Sequence, residues 1–160
     1  MVFCVTNVIY VDESGIDAYY QRVYGRAKIG VKIHGTKPGQ KRKRTNVIAG
    51  LWNKKHIAVG CYNHSTTSAF FEDWFEFELL ALIPEKSLVI MDNASFHRKK
   101  QLRKIAERYG IYLLFLPPYS PDYNPIEPSW ANLKTWLCNH LIRFPNVEWA
   151  IESYFRVYCS

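Results

Sequence analysis

Residues 87–117 combine two short apolar runs with one amphipathic segment, and this combination limits the folds open to the chain. The runs SLVIMDN (87–93) and IYLLFLP (111–117) are typical of strands that are buried on both faces. The segment FHRKKQLRKIAERYG (96–110) has its apolar residues on one helical face and ends at Gly110, a residue suited to a helix C-cap. A strand, a helix and a second strand in this order predict a parallel pair with a right-handed crossover.

Three further strands are predicted before residue 87. NVIYVDES (7–14) is rich in β-branched residues, and TNVIAGLWN (45–53) and HIAVGCYN (56–63) flank a hairpin turn at Lys54–Lys55. We expect the strand at 7–14 to lie parallel to the two strands described above. The chain is therefore predicted to be one α/β domain over residues 1–160, with a mixed five-stranded sheet flanked by helices.

The remaining apolar periodicity is helical. TTSAFFEDWFEFELLALI (66–83) predicts a helix with Thr67 or Ser68 as N-cap and with Pro84 as its stop. A third helix is expected to have Asn124 as N-cap and Pro125 at its first position, and a fourth helix begins near Asn146. The predicted inner positions are Phe70, Phe71, Trp74, Phe75, Phe77 and Leu79 or Leu80 in the first of these helices, and Ile126, Trp130, Leu133 and Leu137 in the next.

Composition excludes several classes of protein. The chain has 160 residues, of which 48% are hydrophobic and 22% are charged, and this excludes a disordered chain. No apolar stretch reaches the roughly 18–20 residues of a membrane span, and the N-terminus lacks the features of a signal peptide. The four cysteines are widely spaced, which favours free thiols in a reducing cytoplasm. The net charge of +7 and the pI near 9.2 indicate a polyanionic partner, for which nucleic acid is the first choice.

Two of the predicted parallel strands end in aspartate. Asp12 follows VIYV and Asp92 follows LVIM. Each aspartate, taken alone, is as well explained by capping of the following turn. Taken together they form a candidate pair, because ligands bind at the carboxyl ends of parallel strands. Two close carboxylates favour a cation between them, and an all-oxygen set favours Mg²⁺ or Mn²⁺. With a basic surface, this indicates phosphoryl transfer on nucleic acid.

A third carboxylate could come from the proline-rich segment LPPYSPDYNPIE (116–127). Glu127 is favoured slightly over Asp122, because a helix fixes ligand geometry better than a loop does. Both residues have a structural alternative. Glu127 could take part in a capping-box arrangement with Asn124, and Asp122 suits a turn.

Three motifs together resemble the catalytic domain of DDE transposases, in the mariner-type superfamily and its bacterial insertion-sequence relatives. They are VIYVDESG, LVIMDNASFH and LPPYSPDYNPIEPSWANLK, and they extend from about residue 7 to about residue 138. The 34 residues between Asp92 and Glu127 match the spacing of the second and third carboxylates in that superfamily.

The resemblance implies a ribonuclease H-like fold with Asp12, Asp92 and Glu127 as the catalytic and metal-binding triad, and it leaves Asp122 as a turn residue. It also implies two divalent ions, Mg²⁺ or Mn²⁺, as cofactors. With them, the enzyme would cut DNA at the ends of an element and transfer the 3′-hydroxyl to target DNA. Two alternatives stay open: a nuclease of the same fold that only hydrolyses DNA, and a decayed DNA-binding remnant without activity.

Several basic residues are candidates for DNA contacts, with a solvated surface as the alternative. His97 could contact a phosphate near the metals, but packing at the start of its helix explains it equally well. Glu13, next to Asp12, should point to the opposite face of its strand and is interpreted as structural or solvated. The predicted DNA-binding residues are Lys41, Arg42, Lys43, Arg44, His97, Arg98 and Lys99.

The first predicted catalytic aspartate is already at residue 12, which leaves no room in this sequence for the N-terminal helix-turn-helix domain of the relatives. We therefore expect the DNA-recognition part to be encoded separately, or the chain to be a fragment. A homodimer that joins two element ends is expected by analogy with the family. For a bacterial insertion-sequence protein, the expected location is the cytoplasm, at the nucleoid.

Overall fold

The computed structural model describes residue 5 and residues 7–17, 44–117 and 123–158. The strands are β1 (Val8–Asp17), β2 (Arg44–Trp52), β3 (Lys55–Tyr62), β4 (Leu88–Met91) and β5 (Tyr112–Phe115). The α-helices are α1 (Ser68–Asp73), α2 (Lys99–Arg108), α3 (Glu127–His140) and α4 (Val147–Tyr158). A π-helical segment (Trp74–Leu79) continues α1, and a 3-10 helix (Leu141–Arg143) follows α3.

The strands form one mixed sheet in the order β3-β2-β1-β4-β5. β2 is antiparallel to both β1 and β3, whereas β4 is parallel to both β1 and β5. The predicted five-stranded mixed sheet is therefore confirmed, including its three parallel strands. One boundary differs, because β1 continues to Asp17 through its pairing with β2 instead of ending at residue 14.

The β2–β3 turn consists of Asn53 and Lys54. Both residues have a positive φ, 48° and 66° respectively. Two successive left-handed residues give the twist that a two-residue hairpin needs. The turn was expected at Lys54–Lys55, but Lys55 is the first residue of β3 and is paired with Trp52.

Apolar side chains form a core on each face of the sheet. Because side chains alternate along β1, Ile9 and Val11 belong to the first core, whereas Ile16 belongs to the second. The first core lies against α1, the π-helical segment and α2, and the second lies against α3 and α4. The most buried helical members are Phe71, Phe75, Leu79, Leu102 and Ile105 in the first core, and Leu133, Leu137, Ala150 and Ile151 in the second.

Two of the predicted helix ends are confirmed. The Thr67 hydroxyl accepts a hydrogen bond from the Phe70 N–H at 3.2 Å, and so caps α1. After α2, Gly110 has a φ of 65°, and the Ile111 N–H bonds back to the Ala106 carbonyl at 2.9 Å. This is the glycine-dependent end that the sequence indicated.

The π-helical segment departs from the predicted helical pattern. The Leu80 N–H bonds to the Phe75 carbonyl at 3.0 Å, five residues earlier. The wider turn buries Leu79 and Leu80 together with Phe75, and leaves Phe77 64% exposed. The expectation that Phe77 faces inward is therefore wrong, because the prediction assumed a period of 3.6 residues throughout.

No helix within the described ranges is long and apolar enough to cross a membrane.

The two neighbouring phenylalanines provide a test of this packing. Phe75 is fully buried, so we expect Phe75→Ala to lower the free energy of unfolding by about 3–5 kcal/mol. Phe77→Ala removes the same side chain from an exposed position, and its effect should stay within about 0.5 kcal/mol. Urea unfolding followed by circular dichroism measures both. Equal losses in the two variants would contradict the π-helical geometry.

Candidate functional site

Asp12 lies where the parallel pairing of β1 ends. Val11 is paired with Met91, the last residue of β4, and Asp12 lies opposite Ala49 of β2. The expectation that Asp12 ends its strand is therefore wrong, since β1 continues beyond it. Asp12 is nevertheless at the carboxyl end of the paired β1–β4 segment, the position at which open α/β sheets bind ligands.

The carboxylate of Asp12 faces α3. The Trp130 indole N–H donates a hydrogen bond to Asp12 Oδ2 at 2.9 Å, and Trp130 itself is 5% exposed within the second core. Burial is the main reason that the pKa of the Asp12 carboxyl is raised to about 7. The Trp130 hydrogen bond lowers this pKa, whereas the charges of Glu13 and Asp92 raise it. A cation beside Asp12 would be needed to keep it fully ionised at neutral pH.

Asp92 follows β4 directly and begins the loop that leads to α2. Its Oδ1 accepts a hydrogen bond from the Ala94 N–H at 3.1 Å, which is the turn-capping role considered as an alternative. Its side chain is still 49% exposed. The carboxylate is therefore anchored on one side and accessible on the other, so turn capping leaves room for a ligand.

Glu127 is the first residue of α3 and is exposed. Asn124 anchors the approach to it: its side-chain amide donates to the Val11 carbonyl at 3.3 Å and accepts from the Ile126 N–H at 3.4 Å. The helix therefore begins two residues later than the predicted first position, Pro125, and the predicted cap residue instead ties the start of α3 to β1.

The orientation of α3 directs its first turn toward β1. Glu127 and Trp130 are three positions apart and therefore share one face of the helix. Because Trp130 contacts Asp12, this face lies over the end of β1 that also neighbours Asp92. Within the described ranges the Glu127 carboxylate forms no hydrogen bond, so the capping-box alternative has no contact to support it there. Asp122 lies outside the described residues.

Glu13 and His97 also belong to this region, on the opposite face of β1. The side chain of His97 is 1% exposed and that of Glu13 is 15% exposed. His97 Nε2 is 3.7 Å from Glu13 Oε1, and His97 Nδ1 is 3.3 Å from Asp92 Oδ1. Burial raises the pKa of Glu13, and the neighbouring imidazole of His97 lowers it. Glu13 does point away from Asp12 as expected, but it is not solvated.

A sequence signal for Glu13 was present. Glu13 follows Ile9 and Val11 at every second position of β1, so all three side chains point to the same face. That pattern puts a carboxylate at a position that faces the core. Its partner could not be inferred, because His97 lies on a distant segment of the chain. Trp130 was correctly assigned to the core, but no pattern in the sequence indicated its hydrogen bond to Asp12.

The predicted triad has ligand atoms of the kind that suits a divalent cation. Asp12, Asp92 and Glu127 offer only carboxylate oxygens, which are the ligands that Mg²⁺ and Mn²⁺ prefer. The raised pKa of Asp12 is consistent with this, because part of it comes from the neighbouring charge of Asp92. A cation between these two carboxylates would remove the repulsion.

Among the described residues, the group with one ligand atom from each member within 4.8 Å of the others consists of Glu13, Asp92 and His97, and not of the predicted triad. The shortest contacts, however, use opposite ring nitrogens: Nδ1 faces Asp92 and Nε2 faces Glu13. These contacts connect the three residues as a carboxylate–imidazole–carboxylate chain.

Four of the predicted DNA-binding residues come from the basic segment that leads into β2. Lys41, Arg42 and Lys43 lie outside the described residues. Arg44 begins β2 and is exposed, and its guanidinium occupies the space that a side chain at Gly15 would need. A glycine at position 15 therefore allows Arg44 to lie flat on β1.

The other three lie at the start of α2, and the structure separates their roles. His97 is buried, so its imidazole has no surface to offer a phosphate, and the expected contact is contradicted. Arg98 is engaged in two hydrogen bonds to the Glu72 carboxylate, at 2.7 and 2.6 Å. Lys99 is exposed, and its Nζ is 5.3 Å from the centroid of the Phe115 ring.

Lys99 is part of a larger basic surface on α2. The guanidinium of Arg103 is 5.6 Å from the centroid of the same Phe115 ring. The side chains of Lys99 and Arg103 therefore both extend across β5. The helix begins seven residues after Asp92, which keeps this surface near the loop that carries the aspartate. We call the exposed residues Lys99, Lys100, Arg103 and Lys104 the α2 basic face.

Comparison with protein families gives one match over most of the chain. The profile of the family described as DDE superfamily endonuclease matches residues 7–148. A relative from Sinorhizobium fredii (strain NBRC 101917 / NGR234), the uncharacterized protein y4pE/y4sA, is 36% identical over 58 residues. That alignment covers 36% of this chain and 41% of the relative.

Solved structures of Mos1 transposase share the fold. The Mos1 mariner paired-end complex with Mn matches 94% of this chain at 19% identity, with a TM-score of 0.72. The paired-end complex with the left transposon end matches 96% at 17% identity, with a TM-score of 0.71. The Mos1 catalytic domain with Raltegravir and Mg matches 94% at 16% identity, with a TM-score of 0.61. The predicted ribonuclease H-like fold is thereby confirmed.

The chain matches only part of the length of each of these Mos1 chains. It spans 48% and 49% of the Mos1 chains in the two paired-end complexes, and 71% of the isolated Mos1 catalytic domain.

The raised pKa of Asp12 makes the metal-free protein sensitive to pH. The unfolded chain ionises Asp12 near pH 3.8 and the folded chain near pH 7, so between these values the folded state binds more protons. The free energy of unfolding should therefore fall as the pH rises through this window. At about pH 8 in EDTA, Asp12→Asn should be more stable than the wild type, by at most about 4 kcal/mol.

The same comparison near pH 4 should show almost no difference, because the wild-type carboxyl is then protonated in both states. Asp73→Asn, at an exposed position on α1, is the matched control and should leave the pH profile unchanged. Denaturant unfolding at a series of pH values measures all three proteins. If the free energy of unfolding had the same pH dependence in the wild type and in Asp12→Asn, the raised pKa of Asp12 would be contradicted.

Proposed function

The chain belongs to the DDE superfamily of endonucleases, and on that premise we propose that it is the catalytic part of a metal-dependent DNA transposase. Membership of the superfamily implies an enzyme of the nuclease type. The proposal goes further in three respects: the substrate is DNA at the ends of a mobile element, Asp12, Asp92 and Glu127 are the catalytic residues, and a strand-transfer step follows cleavage.

One observation carries the assignment of the catalytic residues. The hydrogen bond from Trp130 to Asp12 ties the first turn of α3, and hence Glu127, to the end of β1. The β1–β4 register supports the same grouping, because it sets Asp12 level with the position that follows Met91, which is Asp92. Both observations support the proposal that the three carboxylates act at the same end of the sheet.

We propose that these three carboxylates hold two divalent cations, Mg²⁺ or Mn²⁺. When bound, such a pair activates the attacking oxygen and stabilises the leaving oxygen of an in-line displacement. The exposed half of the Asp92 carboxylate and the exposed Glu127 are suited to this role, because they remain accessible to the substrate. The Mos1 structures are described with Mn and with Mg, in line with the proposed choice of metal.

The reaction would proceed in two displacements. In the first, water attacks a phosphodiester at the end of the element, and the 3′-oxygen leaves as a free 3′-hydroxyl opposite a 5′-phosphate. In the second, this 3′-hydroxyl attacks a phosphodiester of the target DNA, and the 3′-oxygen of the target leaves. Both displacements need the same triad, because in each of them one oxygen attacks the phosphorus atom in line with the oxygen that leaves.

We propose that the DNA backbone lies along the α2 basic face. Four exposed cations on one helix near Asp92 can neutralise phosphates without reading the sequence. The segment of Lys41, Arg42, Lys43 and Arg44 would supply further phosphate contacts. The Mos1 structures include a complex with a transposon end, which agrees with DNA as the substrate.

Two partners remain proposals. Sequence-specific recognition of element ends would come from a helix-turn-helix part, encoded separately. Two copies of the chain would act together, because two ends must be cut and joined at one target site; the Mos1 complexes are described as paired-end complexes.

A cleavage and strand-transfer assay tests the catalytic proposal. The substrate is DNA from both flanks of the reading frame, incubated with Mg²⁺ or Mn²⁺ and with the candidate helix-turn-helix partner. Asp92→Asn and Glu127→Gln should each lower the cleavage rate by about 10³-fold, because a lost metal ligand removes several kcal/mol of charge stabilisation.

The matched controls are Asp73→Asn and Glu107→Gln, two exposed carboxylates on other helices, which should retain wild-type rates. Cleavage without any joined product would reduce the function to that of a nuclease. Equal rates for the wild type and Asp92→Asn would rule out the mechanism, and absence of activity in the wild type would favour the inactive remnant.

The α2 basic face is tested by binding to DNA of arbitrary sequence. Lys99→Ala with Arg103→Ala should weaken binding and reduce the slope of log K against log salt by about 2, since two phosphate contacts are lost. Lys54→Ala with Lys55→Ala removes the same charge at the β2–β3 turn, which lies at the other end of β1, beside Ile9. Gel shifts at several salt concentrations that give the same slope change for both pairs would contradict the assignment.

A further inference from the structure

A buried histidine connects the carboxylate of Asp92 to Glu13. His97 Nδ1 is 3.2 Å from the backbone carbonyl oxygen of Asp92 and 3.3 Å from its Oδ1. On the other side of the ring, Nε2 is 3.7 Å from Glu13 Oε1. The carboxylate of Asp92, the imidazole of His97 and the carboxylate of Glu13 therefore follow one another from the exposed edge of the site into the first core.

The donor and the acceptor of the hydrogen bond between His97 and Asp92 can be assigned. An ionised carboxylate and a carbonyl oxygen can only accept hydrogen bonds, so Nδ1 of His97 must donate to Asp92. Nε2 of His97 and Oε1 of Glu13 are both buried and have no hydrogen-bond partner within the described residues. They face each other, so one proton between them would satisfy both atoms and join Glu13 to the imidazole.

The imidazole is also held by aromatic rings. Its centroid is 4.3 Å from that of Phe71 and 4.6 Å from that of Phe96, which stands edge-on to it. Phe71 is fully buried in the first core. A ring confined in this way cannot turn without disturbing the core, so the direction of the Nδ1–H bond is fixed by packing.

We propose that Glu13 and His97 are positioning residues, which hold the Asp92 carboxylate in the orientation that binds a divalent cation. The inference rests on the proposed function, since it takes Asp92 as a metal ligand. Its physical basis is that a carboxylate fixed by a neighbouring donor loses less freedom when it binds an ion. Removal of such supporting residues typically weakens metal binding by about 10–100-fold.

Mn²⁺ titration of the full chain, by calorimetry, tests this role without any reaction. His97→Leu keeps an apolar side chain among the aromatic rings but removes both nitrogens, and it should weaken Mn²⁺ binding by about 10–100-fold. His97→Asn restores an N–H donor near the Nδ1 position and should recover most of the affinity. Glu13→Gln can donate to Nε2 and should stay closer to the wild type than Glu13→Leu.

His140 provides the matched control. Its Nδ1 bonds to the Trp136 carbonyl at 2.8 Å and its ring stacks on the Trp136 indole, but it lies at the far end of α3. His140→Leu should leave the Mn²⁺ affinity unchanged. Wild-type affinity in a folded His97→Leu variant, or equal losses in His97→Leu and His97→Asn, would overturn the positioning role.

Nitrogen-15 NMR of the wild-type histidines gives a second readout that needs no variant to fold. We expect the His97 proton on Nδ1, and a spectrum with the proton on Nε2 alone would overturn the proposal, since Asp92 would then face a lone pair. Failure of the proposed function has a different signature: Asp92→Asn would leave the Mn²⁺ affinity unchanged, and the positioning role would fall with it. Failure of the positioning role alone leaves Asp92→Asn weakened and His97→Leu unaffected.

Discussion

The parallel pairing of β1 with β4 is the interaction on which the candidate site depends. Its register runs from Val8–Leu88 to Val11–Met91 and stops there, so Asp12 and Asp92 each follow the last paired residue of their segment. A slip of one residue would turn every side chain of β1 to the opposite face and exchange Asp12 with its neighbour. The register is stable against such a slip because both faces of β1 are covered, Val11 by the first core and Ile16 by the second.

This arrangement costs stability in the metal-free protein. Asp12 and Glu13 are adjacent carboxyl groups that burial makes harder to ionise, and the charge of Asp92 acts on both of them. A chain selected for stability alone would have apolar residues at such positions, and carboxyl groups kept at this cost are typical of functional sites. The two cores offset the cost, and a bound cation would remove much of it at the Asp12 side.

The features that sequence predicted correctly depend on local pattern. The strands, the cap at Thr67 and the helix end at Gly110 each follow from a few neighbouring residues. The features that were missed depend on contacts between distant residues or on a change of period. The indole of Trp130 meets a carboxylate 118 residues away, and no spacing rule indicates that contact. Likewise Phe77 is exposed only because a π-helical turn replaces the expected α-helical one.

The alternation of β1 explains how one strand supports two of the predicted carboxylates, Asp12 directly and Asp92 through Glu13. Asp12 points toward the second core, where Trp130 fixes it, and Glu13 points toward the first core, where it adjoins the imidazole that contacts Asp92. Two consecutive residues are therefore connected to opposite sides of the sheet. Since Asp12 and Asp92 are held from different cores, packing on either face would set the separation of their carboxylates, and a substitution at a distance from both could change it.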